Sequence, residues 1–213
     1  MKPYWEDDAT QLYCGDCSKV CAAMEPASIG MIHTDPPYLA DTLSSYSDLG
    51  TIARAVGRPG AVVAAYAGAM FLPEIMARMA RTGLDWIWLT EVVHQHGSPF
   101  VRKWNLRATS KPVLLWHVPG ARPRPHKTLT TLLRGDEKPR KDAHPWAQGI
   151  HVARALISRF CVATDTVLDP YCGSGTTLIA ARQLGIPSIG IEIDPDSCEH
   201  ARDRLENTSW RSE

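Results

Sequence analysis

Thr166-Val167-Leu168-Asp169-Pro170-Tyr171-Cys172-Gly173-Ser174-Gly175-Thr176-Thr177 is the stretch whose reading decides the fold. Its first residues form a short apolar run suited to a buried strand, and the run from Gly175 to Leu184 has a helical pattern. Between them two glycines allow a tight turn and close approach of backbone to a ligand. A further strand ends at Gly190-Ile191-Glu192, seventeen positions after Gly175. In a doubly wound sheet an acid at that place accepts hydrogen bonds from ribose hydroxyls. The turn is not G-x-x-x-x-G-K-[ST], which disfavours a triphosphate cradle, and it lacks the third glycine of the dinucleotide fingerprint. A nucleoside cofactor without pyrophosphate, such as S-adenosylmethionine, fits it better. A purely structural strand-to-helix turn is the other reading of these residues taken alone.

Working outward, short apolar runs alternate with helical patterns, the mark of an α/β domain. Strands are expected at Gln11–Cys14, Ile29–His33, Ala61–Tyr66, Trp86–Val93, Val113–Val118, Thr166–Leu168 and Ser188–Ile191. Helices are expected at Leu43–Val56, Phe71–Thr82, Gly149–Phe160, Gly175–Leu184 and Pro195–Asn207. Asp194 is a natural N-cap for the last of these, with Pro195 at its first position, where a missing N–H costs nothing. Two stretches, 94–110 and 119–145, resist assignment. The second contains Pro119, Pro123, Pro125, Pro139 and Pro145, and loops of that length are functional or disordered.

The 213 residues suit one domain, with 44% hydrophobic and 22% charged residues. No apolar run approaches membrane-spanning length, and the opening residues carry no signal-peptide pattern, so a cytoplasmic protein is expected. The six cysteines then read as reduced thiols. Cys14 and Cys17 form a C-x-x-C, but without a second pair or finger-like histidines no metal is expected. Net charge is zero, yet Arg102, Lys103, Arg107, Lys111, Arg122, Arg124 and Lys127 fall in the middle of the chain. Such a cluster is either an electrostatic footprint for phosphates or a solvated loop.

Asp35-Pro36-Pro37-Tyr38 follows the Ile29–His33 strand, at the strand end where α/β sheets bind ligands. Two prolines fix φ and remove two donors, leaving a stiff turn. It can present the Asp35 carboxylate and the Pro36 carbonyl as fixed acceptors, matching the two hydrogens of an exocyclic amine. Tyr38 offers a face on which a base can stack. Taken alone, D-P-P favours a rigid turn capping a strand, with Tyr38 in the core.

Together, in this order, the two motifs resemble the β-group DNA amino-methyltransferases. The resemblance runs from about Leu12 to Asn207, and its compact, phage-type members also show a K-P strand like Lys111-Pro112. It implies a Rossmann-like class I methyltransferase fold, with a seven-stranded, mostly parallel sheet, one antiparallel strand and a circularly permuted motif order. It implies S-adenosylmethionine as cofactor and DNA as partner. A homodimer and a cognate restriction enzyme, in a bacterial or phage setting, are compatible with it. The implied activity is methylation of adenine N6 by base flipping and direct transfer. Cytosine N4, an RNA adenine, or a non-catalytic relic of the fold are the alternatives.

The same resemblance assigns catalysis to Asp35, Pro36, Pro37 and Tyr38. It assigns the cofactor to Asp16, Asp169, Tyr171, Gly173, Ser174, Gly175, Thr176 and Glu192. His144 and Gln148, in a segment like the family's H-P-x-x-K-P, join this set although the Lys-Pro is absent. DNA contact falls to Arg102, Lys103, Arg107, Arg122, Arg124 and Lys127, within loops 94–110 and 119–145 of a single domain over 1–213.

Overall fold

The computed structural model describes residues 2–37, 39–93, 100–123, 125–126, 128, 130–135 and 149–208, the Lys103 side chain excepted. The elements, in chain order, begin with β1 (Trp5–Glu6), β2 (Thr10–Cys14), α1 (Cys17–Cys21), β3 (Ile29–Thr34), α2 (Ser45–Val56) and β4 (Gly57–Tyr66). Then come α3 (Leu72–Arg81), β5 (Asp85–Val93), β6 (Phe100–Val101), β7 (Leu106–Arg107), β8 (Ser110–His117) and β9 (Leu132–Arg134). The chain closes with α4 (Ile150–Phe160), β10 (Val167–Asp169), α5 (Thr176–Gln183), β11 (Ser188–Glu192) and α6 (Pro195–Glu206).

One sheet runs β1-β2-β11-β10-β3-β4-β8-β5-β9, and β6 pairs with β7 in a separate hairpin. The seven expected strands are all present, and the early β2 lies parallel to the late β11 as the permuted order implies. The expected count of seven is corrected to nine among the described residues, because β1 and β9 extend the two edges. The single antiparallel strand is corrected too. β8 runs against both β4 and β5, and β1 against β2. Both additions are two- or three-residue segments whose pairing comes from a neighbouring strand, so neither has a periodicity of its own.

Both faces of the sheet are covered. Ile32, Val63 and Leu114 pack against α1, α2 and α3, while Met31, Ala64 and Leu115 pack against α4 and α5. Adjacent strand residues therefore go to opposite cores, which explains why these strands read as continuous apolar runs. From β10 the chain winds through α5 towards β11, and from β3 it winds through α2 towards β4 on the opposite face. β10 and β3 are parallel neighbours, so a switch point of a doubly wound sheet opens between their carboxyl ends. No helix among the described residues is long and apolar enough to cross a membrane.

Candidate active site

The two motifs converge at that switch point. β3 delivers Thr34 and then Asp35, and β10 delivers Asp169 and then the glycine turn. The Thr34 hydroxyl donates to Asp169 Oδ1 across 2.6 Å, joining residues 135 positions apart. Asp169 Oδ1 also accepts the Tyr171 backbone N–H at 3.2 Å. Burial pushes the Asp169 carboxyl up to about 7, against hydrogen bonds from Thr177, Thr34 and Tyr171, and the Asp35 charge adds to the rise. The two acids thus share one field.

On the cofactor side, Gly173 and Gly175 hold left-handed φ values of 48° and 78°. An added side chain at Gly173 would meet nothing within 4 Å, so the backbone there borders open space. Glu192 ends β11 and fastens the turn from beneath. Its Oε2 accepts Gly173 N–H at 2.8 Å, and its Oε1 accepts Ile193 and Asp194 N–H at 2.8 and 2.9 Å. Three donors on a carboxylate with about four acceptor sites leave capacity for one more. Ser174 is held from α6, where Arg204 donates to its Oγ at 2.8 Å and its carbonyl at 2.5 Å, and to Thr176 Oγ1 at 3.3 Å.

Asp16 lies at the end of the neighbouring β2. It caps α1, with Oδ1 accepting Ser18 N–H at 2.8 Å and Lys19 N–H at 3.4 Å. Tyr171 turns its hydroxyl towards α2 and donates to the Ser45 carbonyl at 3.2 Å. The C-x-x-C thiols go to different partners, Cys14 to Cys198 and Cys17 to Tyr171.

On the substrate side, Ser45 Oγ donates to the Pro37 carbonyl at 3.0 Å and so pins the double-proline turn to α2. Lys111, at the start of β8, donates to Asp35 Oδ1 and Oδ2 at 2.8 and 2.6 Å. Its Nζ also lies 4.9 Å from the centre of the Tyr66 ring. Behind the site, His33 Nδ1 lies 2.9 Å from Thr177 Oγ1, and burial pulls this histidine down to about 4, so it stays neutral. The sequence reading gave no role to His33, Thr34, Ser45 or Arg204. His33 and Thr34 precede Asp35 in the chain, but their contacts with the glycine motif, and the motif contacts of Ser45 and Arg204 from α2 and α6, arise only in the tertiary structure.

The candidate DNA residues divide. Arg102 and Arg107 belong to the β6–β7 hairpin segment, which joins the end of β5 to the start of β8 at the same sheet edge as Asp35. Arg122 lies at the other edge, beyond the end of β8, where it lines a cavity of about 440 Å³ with Trp86, Trp88, His117 and Phe160. The structure therefore separates Arg122 from the two motifs, because β8 carries the chain from the carboxyl end of β4 at Lys111 back towards its amino end at His117. Tyr38, Arg124, Lys127, His144, Gln148 and the Lys103 side chain lie outside the described residues.

Comparison with known proteins agrees with this arrangement. A type II methyltransferase of Lactococcus lactis subsp. cremoris, M2.LlaDCHI, is 23% identical, covering 96% of this chain and 92% of its own. The PvuII DNA methyltransferase, a cytosine-N4-specific enzyme, superposes with a TM-score of 0.83 at 15% identity, over 96% of this chain and 89% of that one. M1.HpyAVI in complex with SAM superposes with a TM-score of 0.76 at 22% identity, over 92% of this chain and 98% of that one. The family model described as DNA methylase, for N6 and N4 methyltransferases, matches residues 78–203. With more than half its length inside that match, and both motifs at one switch point, the chain belongs to the DNA methylase family of amino-methyltransferases.

Proposed function

We propose that this chain methylates the exocyclic N6 amine of adenine at a specific site in DNA, as a single methyltransferase domain over 1–213. The observation that carries the reading is the 2.6 Å bond from Thr34 to Asp169, which brings the Asp35 turn beside the glycine turn. S-adenosylmethionine, the donor this family uses, supplies an electrophilic methyl group on a sulfonium sulfur. The open backbone at Gly173 and the remaining acceptor capacity of Glu192 suit a nucleoside with ribose hydroxyls. Gly173, Ser174, Gly175 and Thr176 would border it, and Glu192 would take a ribose hydroxyl. Asp16 would face its adenine, Asp169 and Tyr171 would flank it, and His144 and Gln148 would hold its methionine end.

The target amine is unreachable in a stacked duplex, so the base must be flipped out. The Asp35 carboxylate and the Pro36 carbonyl then accept the two amine hydrogens and keep nitrogen lone-pair density turned towards the cofactor side. Pro37 stiffens the turn, and stacking on Tyr38 is worth about 1–3 kcal/mol. Attack is direct, with no covalent bond to the enzyme, so catalysis rests on positioning and electrostatics. Arg102, Lys103 and Arg107 would meet phosphates beside the site; Arg124 and Lys127 are the remaining candidates for DNA contact, and Arg122, at the opposite end of the strands, is not one of them.

Asp at the first position of D-P-P-Y supports adenine, since cytosine-N4 enzymes resembling it more often begin with Ser. The finer partners, a homodimer and a cognate restriction enzyme, and a cytoplasmic setting belong to the same reading. Transfer of a tritiated methyl group into matched duplex DNA and RNA, followed by base hydrolysis, tests it. Label in N6-methyladenine from DNA is expected, and label confined to RNA overturns it. Asp35→Ala is expected to bind the cofactor in calorimetry and to lose transfer.

A further inference from the structure

The ion pair at the mouth of the site has the chemistry to choose a base. Lys111 and Asp35 are 76 positions apart in sequence, yet the ammonium reaches both carboxylate oxygens, at 2.8 and 2.6 Å. The Tyr66 ring, 4.9 Å below, holds the ammonium by a cation–π contact. The side chains of Lys111 and Asp35 are 14% and 25% exposed, so the pair is fixed in place but open to an entering group.

We propose that Asp35 and Lys111 together read the amidine edge of the flipped base, with Lys111 donating to the ring nitrogen beside the target amine. The proposal rests on the adenine reading above and deepens it. In adenine the N6 amine adjoins the acceptor N1, and in cytosine the N4 amine adjoins N3. Each edge presents a donor next to an acceptor. A carboxylate next to an ammonium presents the complement. Entry of the edge between the two groups replaces one ionic contact with two hydrogen bonds, from N6 to an Asp35 oxygen and from Lys111 to N1. The second Asp35 oxygen can keep the ammonium, because a carboxylate accepts more than one donor.

Guanine and thymine present the opposite order. Their carbonyl oxygen would face the carboxylate and their ring N–H would face the ammonium, leaving both half-buried charges against a group of the wrong polarity. The pair therefore admits adenine and cytosine and rejects guanine and thymine. Lys111 touches substrate in this scheme and acts as a specificity residue.

The test replaces N1 with C–H. Duplexes carrying the site mapped by modified-base sequencing, with adenine or 1-deazaadenine at the target, are given to the wild type, Lys111→Met and Lys111→Arg. Calorimetric binding of S-adenosylmethionine checks that each variant is folded. The analogue pairs less well with thymine, but this acts on all three proteins alike and cancels in the ratio. The adenine-to-analogue ratio of kcat/KM is expected to be roughly 10- to 100-fold larger for the wild type than for Lys111→Met, the value of one hydrogen bond from a charged donor. Lys111→Met should be slower on adenine and retain only the pairing effect, while Lys111→Arg keeps part of the wild-type preference. A folded Met variant whose adenine-to-analogue ratio equals that of the wild type overturns the proposal. Label appearing in cytosine overturns the adenine assignment alone, and 3-deazacytosine then puts the same question to Lys111.

Discussion

Asp169→Asn should make the protein more stable at pH 8 and leave it nearly unchanged in acid. Asp169 is buried, and its carboxyl is raised from a free aspartate's 3.8 to about 7, chiefly by loss of water. A raised acid means that the folded chain holds a proton which the unfolded chain has released. Its favourable share of stability is complete below pH 3.8 and is lost as pH rises through about 7. The gap, at about 1.36 kcal/mol per pH unit, corresponds to roughly 4 kcal/mol at full ionisation, of which about 3 accrue between pH 5 and 8. Asparagine keeps the Oδ1 acceptor for Thr34 and the Tyr171 N–H, at 2.6 and 3.2 Å, and removes the charge. His33, pulled down from 6.5 to about 4, gives the opposite slope, with stability rising as pH climbs between those values. It is present in both proteins and cancels in their difference. Urea denaturation of the wild type and the variant at pH 5, 6, 7 and 8 reads that difference directly. A variant less stable by the same amount at every pH would refute the reasoning, because the cost would then be a lost contact and not a buried charge.

Gly190→Ala should cost about 1–3 kcal/mol in the same assay, since its Cβ would fall 2.5 Å from Leu178 Cδ1 and 3.0 Å from Cys172 Sγ. Arg204→Met removes the brace on Ser174 and Thr176, and calorimetry should show S-adenosylmethionine affinity weakened by about tenfold, the value of roughly one hydrogen bond to a charged group. Ala27→Gly should raise the urea midpoint modestly, by up to about 1 kcal/mol in stability, because Ala27 holds a left-handed φ of 56°.

Much of this molecule was legible because its signals are local. The seven inner strands are short, largely apolar runs and the five long helices bury apolar faces, and the Asp194–Pro195 start of α6 came out as its chemistry demands, with Asp194 accepting the Ser197 N–H at 3.0 Å. The five-residue α1 and the edge strands β1 and β9 were not legible, being too short to carry a period and, unlike the three-residue β10, not followed by a glycine turn. In the site, the motif residues could be named in advance, but their partners could not. Glu192 was expected to face a ribose and also proves to organise the turn through Gly173. Arg122 was grouped with the other basic residues, and the length of β8 carries it to the far edge.

By itself the sequence determined which turns could bind a nucleoside and grip an amine, since glycine and proline act on their own φ angles wherever they stand. Tertiary structure alone decided that the two turns share one pocket, and which cation faces Asp35. Those facts depend on the register of β3 against β10 and β4, and of β8 against β4, which is set by burial summed over both faces of the sheet. No single stretch of residues contains that sum.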